Sequence, residues 1–153
     1  MNLRTGRRER TSHTEGGYED AFEKPLLPAD SRSAEELVRS GLEGVPWLVR
    51  SLIPVIHRRV LLLRLGPLRA PDHVLGWRIL SSEPDRVVLR AESPLFLATL
   101  TGWRTDDVVG LRTELRYRRP ASARLVWSCV GPLHRGVAPF LLSRAARAYV
   151  PTA

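Results

Sequence analysis

Cysteine is nearly absent from this chain: Cys129 stands alone among 153 residues, which excludes an internal disulfide and any site built on several thiolates. Its neighbours Leu125, Val126 and Val130 predict a packed rather than a reactive thiol. Lysine is as scarce, since 23 of the 24 basic residues are arginine and only Lys24 is not. That skew matches the coding bias of a GC-rich genome as well as it matches selection for polyanions, so the formal charge of +8 is discounted as evidence for nucleic acid. A long uncharged apolar run is also missing. The stretch from Val45 to Leu68 is broken by Arg50, by His57-Arg58-Arg59 and by Arg64, too many charges for a spanning helix. The basic N-terminus is followed by Glu15-Gly16-Gly17 rather than an apolar core, so no secretion signal is expected and the cytoplasm is the default compartment. Absent as well are H-x-H, H-E-x-x-H, G-x-S-x-G, P-loop and Rossmann glycine patterns, so no metal and no cofactor is implied.

What remains is an ordinary globular composition, 43% hydrophobic and 26% charged, in a chain of one-domain length. The charge is uneven. Residues 1–17 carry +2, residues 18–43 carry −4 and residues 44–153 carry +10. Residues 1–17 have Leu3 as their one large aliphatic residue and read as a disordered basic arm, leaving residues 18–150 as the domain. Tyr18, Asp20 and Phe22 share one parity of a short strand that Pro25 and Pro28 end. Ser31 or Ser33 caps a helix that Gly41 and Gly44 close. Pro46 opens a second helix whose Val45, Leu48, Val49, Leu52, Ile53 and Ile56 keep one face, a phase that Val60 and Leu63 continue past a kink at Pro54. Residues 67–72 read as a loop. From Val74 to Tyr117 the period is two, which predicts antiparallel hairpins with one wet face and brings the count to about five strands.

The last third reads as one long helix over 120–149, about 45 Å at 1.5 Å per residue. On a helical wheel Val126, Val130, Leu133, Val137, Phe140 and Leu141 form its apolar arc, continued at Ala148 or Tyr149. Trp127, His134 and Leu141 line one flank, and Arg144 falls within the arc. The order of strand, two helices, antiparallel strands and long helix predicts an α+β helix-grip fold. The segments Y-E-D-A-F at 18–22, L-R-Y-R-R at 115–119, R-L-V-W at 124–127 and G-P-L-H-R at 131–135 resemble a family of uncharacterised actinobacterial proteins. That family is grouped with the polyketide cyclase and START-like (SRPBCC) superfamily, and its sharpest motif here is W-x-x-x-G-P-x-H-R. The resemblance covers about residues 18–149. It implies a curved sheet wrapped on the long helix around an apolar cavity, and it brings no established catalytic residues.

Trp77, Trp103, Thr113, Leu115, Trp127 and His134 are the residues expected to line such a cavity, with Arg144 as an anchor for an anionic group. Each has a plainer reading. His134 is either a pocket acid or base, or a ring satisfied by a carbonyl that Pro132 leaves unpaired. Arg144 near a helix end can instead snorkel to water, and the tryptophans can be core. His57 lies in an arginine run and reads as surface. Three functions follow. The first is binding of a hydrophobic small molecule, lipid or polyketide-like, between sheet and helix. The second is a cyclase- or dehydratase-like enzyme in which His134 moves protons. The third is a basic module in which the arm, or Arg58, Arg59 and Arg64, meets nucleic acid or an anionic membrane surface.

Overall fold

Side-chain alternation decides which way the sheet faces, and in the computed structural model, which describes residues 10–14 and 16–147, it does so on most of the long strands. The elements run β1 Arg10–Thr14, β2 Gly17–Pro25, α1 Ala34–Glu43, α2 Trp47–Arg59, β3 Arg69–Ala70, β4 His73–Val74, β5 Trp77–Glu83, β6 Arg86–Glu92, β7 Phe96–Arg104, β8 Val108–Tyr117 and α3 Pro120–Arg147. All eight described strands join one antiparallel sheet in the order β1-β2-β8-β7-β6-β5-β4-β3. The first long strand therefore closes against the last one. The inner face carries Tyr18, Asp20 and Phe22, then Val87, Leu89 and Ala91, Phe96, Ala98 and Leu100, and Val109, Leu111, Thr113 and Leu115. Helix α3 lies on that face, and the expected α+β helix-grip arrangement is the one found.

Three short strands escaped the sequence reading. Arg10–Thr14, placed in a disordered arm over 1–17, pairs with β2 from Arg10↔Ala21 to Thr14↔Gly17. All five of its residues are exposed and polar, so the pairing is made by the backbone and leaves no hydrophobic pattern to read. The other two have two residues each: β3 lies in the segment 67–72 that reads as a loop, and β4 directly follows it and ends on Val74, where the strand pattern begins. Residues 1–9 of the arm, and Ala148 and Tyr149 of the predicted helix, lie outside the described residues.

Helix α1 begins at Ser33, one of the two expected caps. The Ser33 side chain accepts from the Glu36 N–H at 3.2 Å, and the Ser33 N–H donates to Glu36 Oε2 at 2.8 Å, a reciprocal capping box. The helix comes unusually close to its neighbours. A Cβ on Gly102 would stand 2.3 Å from Val38 Cγ2, and one on Gly41 would stand 3.0 Å from the Leu141 carbonyl and 3.1 Å from Ala145 Cβ. Asp30 and Arg32 tie this corner together: Arg32 Nη2 donates to Asp30 Oδ2 at 2.7 Å and to the Ala145 carbonyl at 2.8 Å.

The buried stripe of α3 is Ala123, Trp127, Gly131, Ala138, Leu141, Leu142, Ala145 and Ala146. It is turned roughly a quarter of the circumference from the arc predicted around Val137. Leu133 and Phe140 from that arc are exposed, and so is Cys129, which is not a packed thiol. The reason is size. The core side of α3 uses alanine and glycine to approach the sheet and α1, while its larger aliphatics border the cavity described below or face outward. Helix α2 departs from expectation in the same way. It ends at Arg59, buries only Pro54, and leaves Leu48 and Leu52 of its predicted inner face exposed.

A candidate site under the second helix

Because α2 is not pressed onto the sheet, a space of about 140 Å³ remains beneath it. Its floor is the sheet (Trp77, Phe96, Ala98, Leu100, Leu111, Thr113 and Leu115) and one wall is α3 (Trp127, Val130, Leu133, His134, Val137 and Leu141). Its cover is α2, through Val49, Leu52, Ile53, Ile56 and His57. The lining is overwhelmingly apolar, and a dry cavity of this size holds one benzene-sized body. A larger guest requires α2 to move outward.

Five buried side-chain polar atoms among the described residues make no hydrogen bond, and three of them, Thr113 Oγ1, Trp127 Nε1 and His134 Nε2, belong to cavity residues. Such atoms are rare in folded proteins because each costs about 1–3 kcal/mol of desolvation. Behind them stands Asp20, whose side chain is fully buried and whose Cα is the cross-strand partner of Thr113. Tyr18 donates its hydroxyl to Asp20 Oδ2 at 2.6 Å. His134 Nε2 lies 2.9 Å from the same oxygen, but not in line for a hydrogen bond. Trp127 packs its ring on both groups, with centroids 4.9 Å from Tyr18 and 5.2 Å from His134. Burial first, and then the bond to Asp20, push the Tyr18 hydroxyl far above the usual tyrosine range, with Arg135 partly opposing. Tyr18 is therefore a permanent donor.

His57 is also a cavity residue, not a surface one. Trp77 Nε1 donates to its Nδ1 at 3.2 Å, and the two rings meet edge to face with centroids 5.6 Å apart. An Nδ1 that accepts belongs to a neutral imidazole with its proton on Nε2. Burial, assisted by the charge of His134, lowers the His57 pKa from 6.5 to about 4. The sign follows. Between those values the unfolded chain binds the proton more tightly, so this contribution is complete above pH 6.5 and drains away as pH falls towards 4. The loss is expected to reach roughly 3 kcal/mol. Urea melts of His57→Phe across this window should show a flatter pH profile than the parent, beside a constant penalty of about 1 kcal/mol for the stranded Trp77 N–H. Equal slopes would mean that His57 stays exposed to water.

Of the residues predicted for the site, Trp77, Thr113, Leu115, Trp127 and His134 meet around the one cavity. Trp103 does not. It has the opposite parity on β7, sits on the outer face of the sheet, and lies across Gly110, where a Cβ would stand 2.1 Å from its ring. Arg144 is exposed, with its guanidinium 5.9 Å from the centre of the Phe140 ring, so it is no anion anchor for this cavity. Asp20, Tyr18 and His57 were not among the predicted site residues. Among the described residues no group of three or more His, Cys, Asp or Glu is placed to hold a metal ion, and no helix is long and apolar enough to cross a membrane.

No family model matches the sequence, and no curated protein matches it. Among solved structures the chain is similar to protein Ms6760 from Mycobacterium smegmatis, with 12% identity over 94% of this chain and 98% of that one and a TM-score of 0.46. It is similar also to CalU16 from Micromonospora echinospora in solution, with 16% identity over 99% and 81% of the two chains and a TM-score of 0.42. A third is EF2215 from Enterococcus faecalis, a conserved protein of unknown function, with 10% identity over 92% and 75% and a TM-score of 0.40.

Proposed function

We propose that the protein is a cytoplasmic carrier or receptor of the polyketide cyclase and START-like kind, which binds a hydrophobic small molecule between its sheet and α3. The observation that carries this reading is an apolar cavity two of whose lining residues, Thr113 and Trp127, hold buried polar atoms that make no hydrogen bond. Folding gains nothing by leaving them so, whereas a ligand oxygen would satisfy them. The guest is then an aromatic or aliphatic body ending in a carbonyl or hydroxyl, of lipid or polyketide type. Its bulk enters under α2, and its oxygen accepts from the Thr113 hydroxyl or the Trp127 N–H.

Thr113→Val tests this directly, because the two side chains have nearly the same shape. Removing an unsatisfied buried hydroxyl is expected to stabilise the empty protein by about 1 kcal/mol and to weaken binding of an aromatic ketone at least tenfold. Thermal melts and calorimetric titration with a panel of aromatic ketones and their hydrocarbon counterparts read both effects. A variant that is less stable, or that discriminates ketone from hydrocarbon as the parent does, contradicts the proposed polar contact.

One observation favours a second reading. The 2.9 Å approach of Asp20 Oδ2 to His134 Nε2, backed by Tyr18, sets a carboxyl group beside an imidazole, the pair of groups that proton transfer uses. In that reading the protein is a cyclase- or dehydratase-like enzyme, and His134→Ala abolishes turnover while the ligand still binds. Unchanged turnover on His134→Ala would remove it.

A further inference from the structure

Helix α2 is apolar on both sides. Val49, Ile53 and Ile56 look into the cavity, yet Trp47 is 71% exposed, Leu48 63%, Leu52 53% and Val55 53%. At 100° per residue these four fall on one outward arc with Arg58 and Arg59 between them. Val60 and Leu62 after the helix are exposed as well, and so is Leu133 of α3, which borders the cavity. The charge around it is of one sign: residues 44–71 contain five arginines and no acid. Four of these, Arg50, Arg58, Arg59 and Arg69, line an open cleft beside the helix together with Arg39 and a single acid, Glu43.

From these features we infer that α2 and the turn after it form a docking surface for an anionic lipid bilayer. Trp47 at the helix start suits the headgroup level, where an aromatic ring with one polar edge is favoured. Leu48, Leu52 and Val55 enter the acyl boundary, and the arginines meet anionic headgroups. A nucleic acid would engage the arginines but has no use for three aliphatic side chains set between them, which argues for lipid over a polynucleotide. The same helix covers the cavity, so a docked bilayer would face the cavity's entrance. The inference stands apart from the ligand reading, because docking needs no guest and would survive an empty cavity.

Vesicle flotation of the full chain tests it, using pure phosphatidylcholine against an equal mixture with phosphatidylglycerol, at low and at high salt. The protein is expected to float with the anionic vesicles only, and less at high salt. Arg58→Glu with Arg59→Glu should weaken binding about thirtyfold or more, and Trp47→Ala with Leu48→Ala about tenfold. All four side chains are exposed, so matched melting temperatures will show that the variants fold. Absence of flotation overturns the proposal. So does binding that ignores the Trp47 and Leu48 changes, or preferential binding to duplex DNA at the same salt.

Discussion

Trp127→Ala is expected to cost 3–5 kcal/mol, a large part of the 5–15 kcal/mol that holds a domain of this size together. The ring is 4% exposed and fills the angle between Tyr18, Phe96 and His134, with Phe96 edge to face at a centroid distance of 6.5 Å. Its removal withdraws the largest side chain of α3 from β2, β7 and β8 together. The cost should lie at the lower end of the range, because the vacated volume merges with a space that already exists rather than opening a new void. A second consequence separates cavity from plain core. The enlarged chamber should accept a two-ring aromatic probe that the parent excludes. Urea melts and calorimetry decide both, and a loss below about 1 kcal/mol would show that the ring is not packed as described.

Removing the Asp20 carboxyl group has the next largest expected effect. Asp20→Ala strands the Tyr18 hydroxyl, a buried donor bound at 2.6 Å, and takes away the oxygen that faces His134 Nε2. The stranded Tyr18 hydroxyl alone sets a loss of about 1–3 kcal/mol. Asp20→Asn keeps the shape and one acceptor for Tyr18, so it should recover at least half of that loss. The Tyr18 hydroxyl should also titrate lower in Asp20→Ala than in the parent, because one of the two main causes of its elevation is gone while burial remains. Equal stability of the alanine and asparagine variants would mean that the Tyr18 bond contributes nothing in solution.

The sequence was legible where pattern and burial coincide. Alternation along Val109, Leu111, Thr113, Leu115 and Tyr117 set the inner face of β8, and Ser31 and Ser33 marked the start of α1 to within one turn. The Y-E-D-A-F segment put Tyr18, Asp20 and Phe22 on one parity, and a carboxyl group on an otherwise aromatic face was the available signal for Asp20. Periodicity failed on the two long helices for a physical reason. Apolar residues surround α2 on almost every side, so no wheel can choose its inner face. On α3 five of the nine buried residues are alanine or glycine, which weigh little in a hydrophobic pattern, while Val130, Leu133 and Val137 border the cavity. The same quarter turn carried Trp127 and His134 from the flank to the centre of the buried side and moved Arg144 and Cys129 outward. Parity would have rejected Trp103, which alternates with the inward Leu100 and Gly102 of its own strand. His57 was hidden by its arginine neighbours, because sequence adjacency conceals that Trp77, twenty residues away, meets its ring.

The central claim is that the space beneath α2 is a binding site. Native mass spectrometry of the protein purified from its own host, followed by denaturing extraction and identification of what is released, tests it most directly. A single apolar molecule bearing a carbonyl or hydroxyl is expected, present at up to one per chain and lost from Trp127→Ala preparations that remain folded. A protein that comes out empty, and stays empty when challenged with aromatic ketones, quinones and fatty acids, would contradict it.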